Sequence, residues 1–172
     1  MIKMNVIVYK TKHGATRKIA KVLSQYLSDC ILMNINDIDY PTLQRAQMII
    51  VGTPVYYGKL DEDIVHFINN HQELLISKHY CLYVTGILQS EFMTFVTQAF
   101  SFDILKDIQV IAGVGGALYY PDLSITEKMI LQVMNKRTPA IQREKDKDIF
   151  QNFNDEEIKI FAQKIQRILQ TV

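Results

Sequence analysis

The sequence predicts an α/β fold, a five-stranded parallel sheet of order 2-1-3-4-5 with helices on both faces. Three observations predict it. Short apolar runs alternate with segments of helical period along the chain. The run MIIVG at Met48–Gly52 is apolar throughout, as a strand covered on both faces must be. The first apolar run stops at a short loop bearing threonine and glycine, which feeds a helical pattern. That is the βα unit from which right-handed parallel sheets are built.

Strand one is expected over Ile2–Tyr9, a run rich in β-formers. Helix one is expected over Thr16–Leu27, with Ile19, Ala20, Leu23 and Leu27 on one face. Strand two is short, near Ile31–Ile35, and strand three is Met48–Gly52. Helix two follows over Asp61–Asn69, with Ile64, Val65 and Ile68 inward. Strand four is His79–Thr85 and helix three lies near Ser90–Phe100. Strand five spans Ile108–Leu118, interrupted by Gly113, Gly115 and Gly116. A further helix is expected at Thr126–Met134, then a charged loop at Lys136–Asp148. The last helix runs from about Asp155 to Leu169. Asn154 and Glu157 fit its capping box, and Asp155 and Glu156 suit the positive end of its dipole.

A chain of 172 residues predicts one domain over 1–172, with the inserted helix and charged loop at about 119–148. A hydrophobic content of 48% with 22% charged residues is ordinary for a soluble globular chain. A formal net charge of +1 excludes a nucleic-acid binder by charge. Cys30 and Cys81 form no CxxC motif and are expected to be reduced and buried. The N-terminus has no signal pattern, and no apolar run approaches the roughly 20 residues that span a bilayer. The expected location is therefore the cytoplasm. His13, His66, His71 and His79 share no metal-ligand spacing, and no metal is expected.

Three loops carry the candidate chemistry. Thr11-Lys12-His13-Gly14-Ala15-Thr16 joins strand one to helix one. It lacks GxxxxGK[ST] and GxGxxG, which argues against a Walker-type nucleotide or a dinucleotide pyrophosphate. Thr11 and Thr16 offer hydroxyls, Gly14 allows close backbone approach, and the loop amides converge on the positive end of a helix dipole. A monophosphate suits that set. The same residues also read as a plain βα turn with a threonine N-cap.

The second loop, Gly52-Thr53-Pro54-Val55-Tyr56-Tyr57-Gly58, presents two adjacent tyrosines. They form a stacking platform for a flat ring, or else cover the core. The third, Thr85-Gly86-Ile87-Leu88-Gln89, offers backbone groups to the polar edge of the same ring.

Taken together, these loops resemble the flavodoxin family over nearly the whole chain. The Thr-x-x-Gly-x-Thr stretch at Thr11–Thr16 matches that family's phosphate loop for flavin mononucleotide (FMN), and Tyr57 before Gly58 matches its ring-flanking aromatic. The resemblance implies a flavodoxin-like three-layer sandwich with FMN as cofactor. It implies cofactor contacts from Thr11, Lys12, His13, Gly14, Ala15 and Thr16, from Thr53, Pro54, Val55, Tyr56, Tyr57 and Gly58, and from Thr85, Gly86 and Ile87.

A narrower similarity follows from Ile111-Ala112-Gly113 and Gly116-Ala117-Leu118-Tyr119-Tyr120-Pro121. This resembles the menaquinone-dependent protoporphyrinogen IX dehydrogenase branch, from which the chain departs in Gly115 and in a less basic Thr126–Met134. That branch implies an FMN oxidoreductase acting on a porphyrinogen with a quinone acceptor. The alternatives are a small electron carrier between protein partners and an interaction module without flavin. Carriers of this family are strongly acidic, whereas this chain has 19 Lys+Arg against 18 Asp+Glu, which favours the enzyme. No obligatory catalytic acid or base is visible. Met129, Ile130, Leu131, Val133 and Met134, beside Lys128, Lys136 and Arg137, would pack over strand five or rest peripherally on an anionic membrane.

Overall fold

The computed structural model describes residues 3–86, 91–115, 117–119, 149–151 and 153–171. The expected helix at Thr126–Met134, the charged loop at Lys136–Asp148, and Ile2, Ile87, Leu88, Gln89, Gly116, Tyr120 and Pro121 lie outside them. β1 (Asn5–Tyr9) pairs in parallel with β2 (Cys30–Asn34) on one side and with β3 (Met48–Tyr56) on the other. β3 pairs in parallel with β5 (His79–Thr85), and β5 with β6 (Ile111–Gly113). The order is β2-β1-β3-β5-β6, with β4 (Lys59–Leu60) added antiparallel to the end of β3. This is the predicted doubly wound order, in which loops after β1 and β3 leave the sheet on either side of the switch point.

Alternation along each strand sorts the core into two layers. Val6, Val8, Ile49, Val51, Leu82 and Val84 face one side, with Ile64 and Ile68 of α3 (Glu62–Asn70) and Val96 of α5 (Phe92–Ala99). Ile7, Ile50, Cys81 and Tyr83 face the other. There they meet Ile19, Ala20 and Leu23 of α1 (Ala15–Tyr26), and Ile158, Phe161 and Ile165 of α7 (Asp155–Gln170). The Asn154 side chain accepts from the Glu157 amide, with three acidic residues in the first turn of α7, as its capping sequence predicts.

Several elements differ from expectation. Short helices α2 (Tyr40–Arg45), α4 (Gln72–Ser77) and α6 (Phe102–Leu105) add to the predicted set. Expected strand five divides: Ile108 precedes β6, and β7 (Ala117–Tyr119) leaves the main sheet to pair antiparallel with β8 (Ile149–Gln151). Gly115, at φ 75°, stands between the two pieces, a backbone conformation that glycine permits. Both cysteines are free thiols, but only Cys81 is buried. Cys30 on edge strand β2 is half-buried, because among the described residues no strand pairs beyond that edge. Burial raises both thiols, Cys30 to about 11 and Cys81 to about 12, so neither is a reactive thiolate at neutral pH.

Candidate functional site

The 11–16 loop crosses from the end of β1 to the start of α1. Gly14 is the N-cap, at φ 92° and ψ −9°, and the Thr11 hydroxyl accepts from its amide at 2.8 Å. A Cβ on Gly14 would meet nothing within 4 Å, so the left-handed backbone, not space, calls for glycine here. The first helical bond runs from the Lys18 amide to the Gly14 carbonyl. No side chain caps the helix start. The amides of Ala15, Thr16 and Arg17 therefore lack the partner that a capped helix would give them. The N-cap is thus Gly14, and Thr11 bonds its amide from outside the helix.

α1 carries Arg17 and Lys18 in its first turn and Lys21 at its middle, with no acidic residue in its first turn and no basic one in its last. That order opposes the macrodipole, whereas the acidic first turns of α3 and α7 follow it. An uncapped N-terminus surrounded by cations suits an anion.

The carboxyl end of β5 holds this helix start in place. Thr16 is 1% exposed, and its Oγ1 lies 2.8 Å from the Thr85 Oγ1. The Tyr83 hydroxyl donates to the Thr16 carbonyl at 3.0 Å. Tyr83 is fully buried, and burial raises its phenol well above its ordinary pKa. Its ring lies over Gly52, its register partner on β3. A Cβ on Gly52 would sit 2.2 Å from the Tyr83 Cζ.

The second loop is a β-hairpin, which corrects its reading as a loop from Gly52. β3 continues through Pro54 and Val55 to Tyr56, which pairs with Lys59. Pro54 is tolerated because β1 has already ended opposite Gly52, so no ladder bond is asked of its nitrogen. Tyr57 (φ 53°) and Gly58 (φ 75°) form the two-residue turn, and positive φ at both is the mark of type I′. Tyr57 is 54% exposed and holds a left-handed conformation that a bulky residue rarely takes. Thr53 is buried, with its hydroxyl donating to the Pro54 carbonyl and accepting from the Asp61 amide. Thr53 thus fixes the hairpin to Asp61, the N-cap of α3.

The three loops meet pairwise. Lys12 Nζ lies 5.8 Å from the Tyr56 ring centroid, and His13 meets the same ring edge-on at 6.4 Å. Thr16 meets Thr85. A Cβ on Gly86 would lie 3.3 Å from the Val55 Cβ, so the second and third loops are in contact. The Gly86 amide donates to the Gly115 carbonyl. Beside the hairpin is a cavity of about 560 Å³, walled by Tyr56, Tyr57 and Asp61–Asp63.

Every predicted site residue except Ile87, which is outside the described residues, thus falls at one edge of the sheet. Among the described residues no cluster of His, Cys, Asp and Glu is gathered for a metal. Two contributors escaped the sequence reading. Tyr83 gave no signal of its own, since Tyr80 stands in the same strand and only the register sets Tyr83 beside Gly52. Lys10, the polar residue closing the first apolar run, reaches Asp63 at 2.6 Å.

The Asp63 hydrogen bond, helped by Asp61 and opposed by partial burial, raises the Lys10 ammonium above 10.5. A raised folded-state value means stabilisation that is complete below the unfolded pKa and lost as pH climbs through the folded one. Lys10→Met is expected to cost at most about 1 kcal/mol at neutral pH. Its deficit should vanish at strongly alkaline pH. Urea midpoints of both proteins across that range check this, and a deficit that persists at high pH would mean lost packing instead.

The strand order and the loops at its carboxyl edge define a doubly wound α/β protein. The Flavodoxin domain family model matches residues 6–145. The chain belongs to that family. Over 173 aligned residues it is 21% identical to protoporphyrinogen IX dehydrogenase [quinone] of Escherichia coli K12, covering 95% of this chain and 94% of that one. Over 72 residues it is 29% identical to a flavodoxin of Clostridium saccharobutylicum, covering 39% of this chain and 45% of that one. In this second match the chain spans under half of its relative. Among solved structures, a WrbA-like flavodoxin from Agrobacterium tumefaciens superposes with a TM-score of 0.53 at 15% identity, over 79% of this chain and 94% of that one. The flavodoxin of Streptococcus pneumoniae TIGR4 gives 0.53 at 20%, over 77% and 99%. These likenesses establish a common fold.

Proposed function

We propose that this chain binds FMN and acts as a flavodoxin-type oxidoreductase on a bulky aromatic substrate. The pairwise meeting of the three loops carries the reading. The residues fit the group. In this reading the loop from Thr11 through Thr16 receives the phosphate on its amides, with Lys12, His13 and the basic first half of α1 supplying positive charge. Tyr57 flanks the ring, and Tyr56 is kept against the phosphate loop. Peptide groups of Thr53, Pro54, Val55 and Gly58, and of Thr85, Gly86 and Ile87, line the polar rim. Bound FMN supplies the redox chemistry, and the chain binds, orients and shields it.

The near full-length match to a quinone-dependent protoporphyrinogen IX dehydrogenase supports a porphyrinogen as substrate with a quinone acceptor. The net charge of +1 weighs against an acidic carrier steered to protein partners. Among the described residues no helix is long and apolar enough to cross a membrane. A cytoplasmic site of action, at most peripheral on a membrane, goes with this reading.

The test is the visible absorption spectrum of the purified protein, repeated after FMN addition and desalting. Retained flavin bands, with FMN held far better than riboflavin, are expected. Salt should weaken FMN binding, because exposed cations contribute. Folded protein that keeps no flavin after reconstitution would overturn the proposal. Retained flavin without porphyrinogen turnover would overturn only the substrate.

A further inference from the structure

We infer that Tyr83 is a positioning residue for the phosphate loop. With Thr85 it forms a two-point tether from β5 that sets how the first-turn amides of α1 converge. The inference rests on the FMN reading above, and three observations carry it.

The first is directional. Packing of Ile19, Ala20 and Leu23 against the sheet holds α1 down but leaves it free to slide or turn by small amounts. Two hydrogen bonds do not. Tyr83 and Thr85 are two apart on β5, so their side chains leave the same face of the sheet. Both end on Thr16, one on its carbonyl and one on its hydroxyl. Two bonds to one residue in the first turn fix the height and the rotation of that turn together.

The second is chemical. The Thr16 carbonyl sits inside α1 and already has the helical acceptor role, so the bond from Tyr83 is additional. Phenylalanine would fill the same buried space without a hydroxyl to satisfy. The phenol is therefore needed for what it holds.

The third is steric. Gly52, on the central strand between Tyr9 and Tyr83, leaves the room that the ring occupies on its way to Thr16. Thr85 is followed at once by Gly86, so the strand end that holds the phosphate loop also sets the third loop.

The test uses Tyr83→Phe, Thr85→Val and Thr85→Ser in the full chain, with dissociation constants for FMN and riboflavin measured side by side. Tyr83→Phe and Thr85→Val should each lower FMN affinity about three- to tenfold, as loss of one neutral hydrogen bond does. In Tyr83→Phe riboflavin affinity should stay within about twofold, because riboflavin has no phosphate for the loop to hold, and Thr85→Ser should restore the FMN affinity that Thr85→Val loses. A core residue would weaken both flavins equally, and that result, or no change in either, overturns the inference. Hydrogen exchange on the flavin-free protein gives an independent reading. Amides 18–20, the first with helical partners, should exchange faster in Tyr83→Phe than in the parent. If the parent binds no FMN, the functional reading fails, and unaltered exchange at 18–20 would show that the tether fails too.

Discussion

Gly52→Ala is expected to lower the unfolding free energy by about 1–3 kcal/mol and to weaken FMN binding along with it. The new methyl would stand 2.2 Å from the Tyr83 Cζ and 2.3 Å from its hydroxyl oxygen, so something must move. The ring has little room, because Tyr83 is fully buried and packs edge-on against Phe161 at 6.1 Å. Gly52 itself is bound into parallel ladders on both sides, to Tyr9 and to Tyr83. Interiors packed this closely turn a single added carbon into displaced neighbours. The displaced neighbour here ends on Thr16, so strain at the centre of the sheet should reach the phosphate loop. Urea denaturation together with FMN titration checks both effects. A variant with the parent's midpoint would mean that the ring can leave Gly52 freely.

Tyr57→Asn should act with opposite signs on stability and on binding. At φ 53° in a type I′ turn, tyrosine sits in the left-handed region, at a cost of roughly 1–2 kcal/mol for an ordinary side chain. Asparagine tolerates that region and forms, with the following glycine, the pair such turns favour. Thermal stability should hold or rise by up to about 1 kcal/mol. Flavin affinity should fall roughly tenfold to a hundredfold, the range that loss of about 1–3 kcal/mol of stacking gives. That pair of results would mean that the tyrosine is kept against a local conformational preference, as residues in ligand clamps are. Unchanged affinity would remove Tyr57 from the ring site.

These predictions draw on features of very different legibility. Strand His79–Thr85 was readable to the residue because its apolar run, paired on both sides by β3 and β6, stops at Lys78 and Gly86. The strand order followed from alternation of strands and helices, since right-handed crossovers leave few choices. The hairpin was hidden by Pro54, which looks like a strand terminator until one sees that β1 has already stopped beside it. α2 carries a local signal, Asp39 as cap with proline at the helix start. It buries only Thr42 and Leu43, too few positions to set up a helical period. α4 follows α3 with only His71 between them and buries only Leu75, so it sets up no helical period beyond the helix expected to end at Asn69.

Much the same division holds at the site. The 11–16 loop is contiguous, and its place between β1 and α1 could be read as it stands. The bonds that orient it come from Tyr83 and Thr85, far along the chain, and depend on the register that sets Gly52 opposite Tyr83. Periodicity reports which face a residue takes, not which strand lies beside it.

The short ribbon of β7 and β8 brings Tyr119 opposite Ile149. The two ends of residues 120–148 are thereby fastened to one another before that stretch contributes anything itself. Loop-closure entropy grows only with the logarithm of length, about 0.6 kcal/mol for each doubling. Residues inserted between Tyr119 and Ile149 are therefore expected to cost the fold little, because the ribbon and the five parallel strands keep their own pairings.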